Sequence, residues 1–209
     1  MIYTIGSSRN SFLPLDNFRK QFIVDREHPG DNIDHLNRHY CELTGLYYMW
    51  KHETDDLCGL KHYRRYFYDD NHLLSRAGAA YFLEHSDIIL IPHHHPMNRT
   101  TYQWFIGAMK AEDIEKWVVA LDTIHPEFTR TFTDYLNSNL VYICNMFVTR
   151  KEVLDAWCSW LFPALHIYDE AAGLGEHNRR IDGYLAEHTL GAWCIYNKMK
   201  VANGTLHMT

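Results

Sequence analysis

No apolar run in this 209-residue chain reaches the about 20 residues that a bilayer-spanning helix needs, which excludes a membrane-spanning helix. The opening Met1-Ile2-Tyr3-Thr4-Ile5-Gly6 has no basic segment ahead of an apolar core, so it is not expected to be a secretory leader. Cysteine is sparse and scattered: Cys41, Cys58, Cys144, Cys158 and Cys194 are odd in number and contain no Cys-x-x-Cys pair, so neither a disulfide framework nor a paired-cysteine zinc site is expected. They read as reduced core residues of a cytoplasmic protein. Positive charge is also short. A net charge of -6 offers no broad attraction to nucleic acid, so any site for a polyanion has to be a local concentration of arginine and lysine. Gly-x-Ser-x-Gly, His-Glu-x-x-His and Asp-x-Asp are all missing, which removes the usual motifs of serine hydrolases, zinc proteases and many metal-dependent sugar transferases. There is no internal repeat and no low-complexity stretch.

What remains is a chain built to fold. It is 46% hydrophobic and 14% aromatic, which suits one ordered domain with a sizeable core. Residues 1–6 read as a short strand. From Asp31 to Lys51 the apolar residues Ile33, Leu36, Tyr40, Leu43, Tyr47 and Trp50 recur at spacings of three and four, which predicts one long helix capped by Asp31 or Asn32. Asn37, Glu42 and Thr44 border its apolar stripe closely enough to reach a site. Leu57 to Leu60 reads as a buried strand, residues 75–85 as a short helix, and residues 87–92 as a strand ended by Pro92. Helices are expected over 102–109 and 112–124, and again around Phe128, Phe132, Tyr135 and Leu136. A strand follows over 140–148 with Asn145 at its middle. The helix predicted from Lys151 to Tyr168 should be kinked or shortened by Pro163. A last helix is expected from Arg179 to Lys200, with Asn203-Gly204 as its frayed end. Alternating strands and helices over one core indicate an α/β fold, whose ligands sit beyond the carboxyl ends of the strands.

The densest chemistry lies in His62-Tyr63-Arg64-Arg65-Tyr66-Phe67. Two arginines and a histidine among three aromatic rings suit an anion, because the guanidinium fork grips phosphate or carboxylate in fixed geometry. A surface ion-pair site, with arginine stems packed on the rings, fits the same residues equally well. In an extended strand Arg64 and Arg65 would face opposite sides, so both reach one ligand only if the strand ends near His62. His93-His94-His95 between two prolines invites a metal reading. Consecutive residues point in different directions, however, which favours a solvated loop. Asp55-Asp56 and Asp69-Asp70 are adjacent acids in polar turns, where solvation or capping is the commoner role.

Asp31-Asn32-Ile33, Cys41-Glu42-Leu43-Thr44-Gly45-Leu46-Tyr47-Tyr48-Met49-Trp50-Lys51, Gly59-Leu60-Lys61-His62-Tyr63-Arg64-Arg65-Tyr66-Phe67, Asn145-Met146-Phe147, Trp160-Leu161-Phe162 and the run from Arg180 through Gly183-Tyr184-Leu185-Ala186-Glu187 together resemble a bacterial family. It is the family long labelled a domain of unknown function in capsular and exopolysaccharide gene clusters, some members of which are classed as galactofuranosyltransferases. The resemblance spans about residues 1–200 and implies a GT-A-like, Rossmann-related α/β fold in a single domain over 1–209. It also implies an additional strand ahead of the piece Ile2–Ser8, which this chain lacks. The activity implied is transfer of a sugar, galactofuranose being one option, from a uridine diphosphate donor to a surface polysaccharide or lipid-linked glycan. The alternative is a sugar- or nucleotide-binding protein of the same fold without turnover, and a histidine-metal hydrolase stands third. On the transferase reading His62, Arg64, Arg65, Asn145 and Arg180 hold the donor, while Glu187 or Asp182 takes the acceptor proton. On a helix those two acids lie five residues apart, so one at most faces the site. His188 stands where the family has arginine. No metal ligands are assigned; Mn²⁺ or Mg²⁺ would be secondary to the arginines. Nucleic acid is not an expected partner, and membrane contact is peripheral at most.

Overall fold

The computed structural model describes residues 1–12, 15–69, 72–94, 99–175 and 179–208. Its strands in chain order are β1 (Ile2–Gly6), β2 (Arg19–Ile23), β3 (Leu57–His62), β4 (Arg65–Asp69), β5 (His72–Leu73), β6 (Ile88–His94), β7 (Leu140–Arg150), β8 (Val201–Asn203) and β9 (Thr205–Met208). The helices are α1 (Asn37–Tyr40), α2 (Leu43–His52), α3 (Arg76–Phe82), α4 (Thr101–Phe105), α5 (Ala111–Ile124), α6 (Pro126–Leu136), α7 (Lys151–Ala172) and α8 (Ile181–Tyr196). Six strands form one sheet in the order β2-β1-β3-β7-β6-β8. The β2-β1, β1-β3 and β6-β8 pairs are parallel and β7 runs antiparallel between β3 and β6. β4, β5 and β9 make a second, three-stranded sheet.

Strand alternation sends successive side chains to opposite faces and separates two apolar layers. Tyr3, Ile5, Cys58, Leu60, Ile88 and Leu90 face a large core shared with α2 and α5 to α8, where Trp117, Phe128, Trp157, Leu165 and Trp193 are buried. Ile2, Leu57, Ile89 and Ile91 face a smaller layer with Phe67 of β4 and Ala79 of α3. Covered on both faces, β1 and the first halves of β3 and β6 are mainly apolar, as buried strands are. All five cysteines are free thiols. No helix among the described residues is long and apolar enough to cross a membrane.

Four local readings are corrected. The helix expected over 31–51 is broken: a 3-10 turn over Asp34–Leu36 and α1 end at Cys41, whose φ of 51° halts the helix before α2 starts. α7 is not shortened by Pro163 but continues through it to Ala172. β6 runs past Pro92, which sits at a register irregularity where β7 bulges. Asn203-Gly204 is no frayed end but the switch between sheets: β8 pairs with β6, β9 pairs with β4, and the Gly204 N–H donates to the Leu90 carbonyl. A Cβ at Gly204 would press on Phe67 and Ile89, so glycine lets the backbone pass between the layers.

β1 lies inside the sheet with parallel neighbours on both edges. It lies directly beside β3, and its carboxyl end at Gly6 opens on the same side as the end of β3 at His62.

Candidate active site

The site is organised by the bulge in β7. β7 pairs Phe147 with Leu90 and Tyr142 with Pro92, so the intervening residues loop out of the ladder. There Cys144 and Asn145 adopt positive φ, 76° and 49°, a conformation that costs non-glycine residues energy. The bulge turns three polar groups toward one point. The Cys144 carbonyl accepts from His62 Nε2 at 2.7 Å, and the Cys144 peptide N–H lies on the side of the Glu187 carboxylate, whose ionised form it favours. The Asn145 amide donates to Glu42 Oε1 and to the Gly183 carbonyl, both at 2.8 Å. One peptide segment therefore fixes His62, Glu42, Glu187 and the first turn of α8.

Over this point lies a cleft of about 480 Å³ lined by Cys41, Glu42, His62, Tyr63, Arg64, Arg65, Cys144, Arg180, Gly183, Tyr184 and Glu187. β3 ends at His62 and residues 63–64 turn, so Arg64 from the turn and Arg65 at the start of β4 both reach the cleft. Arg180 arrives from the left-handed residue before α8, with its guanidinium 5.5 Å from the Tyr184 ring. Other arginines pair with acids away from the cleft, Arg19 with Asp16 and the exposed Arg76 with Asp55 and Asp56. Three guanidiniums thus face two carboxylates, an excess of one positive charge with Glu187 ionised and of two with it protonated.

Burial, and then the neighbouring Glu42 charge, push the Glu187 carboxyl up to about 7. A carboxyl in that range exchanges its proton near neutral pH. Burial lowers the His62 imidazole below its ordinary value, so at neutral pH the ring is uncharged. Its Nε2–H donates to a carbonyl, so Nδ1 carries the lone pair. His62 therefore adds no positive charge, which corrects its expected share in neutralising an anion. Lys61, one residue earlier, points to the opposite face, where its Nζ sits 3.5 Å from the centre of the Tyr66 ring.

The structure brings together His62, Arg64, Arg65, Arg180 and Glu187. It does not bring Asp182 or the Asn145 amide to the cleft wall. Asp182 is fully buried behind α8, facing the Asp169 carboxyl, and the Asn145 side chain is spent on Glu42 and Gly183. Glu42 occupies the cleft because the helix breaks at Cys41. Tyr184 and the Cys144 peptide escaped the sequence reading, since neither a positive φ nor a bulge leaves a mark in composition. The Asp55-Asp56 pair is engaged by Arg76. Of the histidine run, the His93 ring packs on Trp104, while His95 and the His94 side chain lie outside the described residues, as does Asp70.

A second cavity of about 520 Å³ continues the cleft past His62 and Arg180 to the end of β1, where Gly6, Ser7, Asn10, Asn37 and Arg38 join its wall. Among the described residues no three His, Cys, Asp or Glu side chains cluster as metal ligands. In the cleft Glu42 is tied to Asn145 and Glu187 lies among guanidiniums, a set that does not fit the oxygen shell of Mg²⁺ or Mn²⁺.

Comparison with known proteins follows this geometry. The family model described as "Domain of unknown function (DUF4422)" matches residues 5–198. Among solved structures, the apo form of the WbbM bifunctional glycosyltransferase superposes with a TM-score of 0.84 at 21% identity, covering 100% of this chain and 45% of that one. The chain thus spans under half the length of that structure. No curated protein matches.

Proposed function

The chain belongs to the DUF4422 family, and from that premise we propose that it is a GT-A-like glycosyltransferase acting on a nucleotide diphosphate sugar. The observation that carries this reading is the cleft itself: Arg64, Arg65 and Arg180 converge with Glu187, whose carboxyl is held near neutrality, beyond the carboxyl ends of β1 and β3. The nucleoside lies in the extension toward Gly6, Asn10 and Asn37. The diphosphate lies against the guanidiniums, which stabilise charge as it develops on the leaving group. The Glu187 carboxylate takes the acceptor proton in an inverting transfer. His62 positions the Cys144 peptide instead of carrying charge, Glu42 is held by Asn145 between the two lobes, and Asn145 acts on the donor only through Glu42. A divalent ion such as Mn²⁺ is secondary, because the arginines already supply the positive charge it would bring. The donor is read as a uridine diphosphate sugar, with galactofuranose as one candidate, and the acceptor as a surface or lipid-linked glycan reached from the cytoplasmic side.

Uridine diphosphate at 100 times its dissociation constant is expected to stabilise the folded protein by about 2.7 kcal/mol, read as a rise in Tm. Arg65→Ala should weaken that binding at least roughly tenfold, as losing a charge-assisted contact does. The same scan with and without Mn²⁺ separates the arginines' contribution from an ion's. A Tm rise of equal size in Arg65→Ala and wild type would remove the diphosphate from this cleft.

A further inference from the structure

Glu187 borders not one cavity but two. Beyond it, away from Arg64, Arg65 and Arg180, a separate cavity of about 320 Å³ is lined by Arg99, Gln103, Trp104, Gly107, Ala108, Tyr184, Glu187 and His188. Its volume and its mostly apolar wall with a few polar groups are those of a small-ligand site. Trp104 comes from α4, whose start is fixed by a capping box between Thr100 and Gln103. Tyr184, Glu187 and His188 come from one side of α8.

His188 is the telling residue. Its ring is 2% exposed and stacks on Phe105 with centroids 3.6 Å apart, yet among the described residues neither ring nitrogen has a hydrogen-bond partner. Buried polar atoms are rarely left so, because an unmet one loses its hydration without a replacement. A packing role alone would be served by an apolar ring. A neutral imidazole offers one donor and one acceptor, and a hydroxyl can answer either.

We propose that this cavity is the acceptor subsite: it takes a sugar ring of the glycan against Trp104 and Tyr184, with the His188 imidazole hydrogen-bonded to a ring hydroxyl. The proposal rests on the transferase reading above. An acceptor hydroxyl presented from this side loses its proton to the Glu187 carboxylate. Its oxygen forms the new bond to the donor's anomeric carbon, and the bond from that carbon to the diphosphate oxygen breaks, the electron pair leaving on the diphosphate. Because Glu187 is common to both walls, the base lies between donor and acceptor, as direct displacement requires.

The test is saturation-transfer NMR of the full chain against methyl glucopyranosides, galactopyranosides, mannopyranosides and galactofuranosides, with the uridine diphosphate thermal scan run in parallel. At least one glycoside should bind the wild type saturably. Trp104→Ala should weaken that binding roughly tenfold while leaving the nucleotide-induced Tm rise intact, and His188→Gln should fall between the two. Arg65→Ala should do the reverse. Trp104 is only partly buried, so its variant remains informative if the His188 one fails to fold. No saturable glycoside binding, or binding that survives Trp104→Ala, overturns the subsite. Glycoside binding lost in Trp104→Ala, with no nucleotide response in wild type, keeps the sugar site and fails the transferase reading instead.

Discussion

Glu187→Gln is expected to cut sugar transfer by about 10²–10⁴-fold while leaving nucleotide binding essentially unchanged. Glutamine keeps the size of the side chain and a carbonyl oxygen on the side of the Cys144 peptide N–H, so the bulge and the fold should survive. What it loses is the lone pair able to take a proton. The wild-type rate should therefore rise with pH, roughly tenfold per unit at low pH, and level off above about 7, where the Glu187 carboxyl is ionised. In the variant this limb should vanish. Burial holds His62 below its ordinary value and the guanidiniums do not titrate in the range, while Lys61, lowered to about 7, lies on the opposite face of β3, so none of these groups replaces the limb. Transfer retained above roughly a tenth of wild type would exclude Glu187 as the base. Loss of transfer in Glu42→Gln but not in Glu187→Gln would move that role to Glu42, the other carboxylate on the cleft wall.

The arginine cluster was legible in sequence because its geometry hinged on a single question, where the strand stops. β3 ends at His62, so the turn at residues 63–64 lets two adjacent arginines serve one cleft. Glu187 and Asp182 were separable for a similar reason: five helical positions place them on different sides of α8, although only the fold says which side meets β7. The break at Cys41 was not legible. The apolar positions on either side of it keep helical spacing, and periodicity cannot register one residue at positive φ. What wins there is tertiary. α1 docks on the start of α8, where the Arg180 N–H donates to the Arg38 carbonyl, and Glu42 is drawn to Asn145. β2 was missed because Arg19-Lys20-Gln21 carries the polar pattern of an edge strand, and the apolar residues buried there are Phe18 and Phe22 alone, with the Arg19 side chain buried between them. The end of the chain was missed because β9 has almost no core face and is defined by its pairing with β4.

Behind the site, Asp182→Asn should stabilise the protein by about 1–3 kcal/mol at pH 8, the size of the penalty for a buried polar group without its partner. Asp182 is 0% exposed, and apart from a proton shared with Asp169 no other side chain among the described residues donates to its carboxyl oxygens. It faces Asp169, also held up by burial, whose carboxyl accepts from the Tyr40 hydroxyl at 2.7 Å; Tyr168, His39, His166 and Cys41 are further titratable neighbours of the pair. Burial, and next the Asp169 charge, raise the Asp182 carboxyl well above its ordinary range. The folded state therefore keeps a proton that the unfolded chain gives up near pH 4, so the pair's contribution to stability is complete in acid and falls as pH rises toward the folded value. An asparagine in its place donates its amide to Asp169 at every pH. The difference in Tm between variant and wild type should accordingly be small near pH 4 and grow toward pH 8, at roughly 2–4 °C per kcal/mol for a chain of this size. Glu187, raised from 4.5 to about 7, gives a slope of the same sign that stays in Asp182→Asn and disappears only in the double variant with Glu187→Gln. A gap in Tm that is constant from pH 4 to 8 would mean that the two aspartates do not share a proton in the fold. Asp182 would then act on α8 through packing alone.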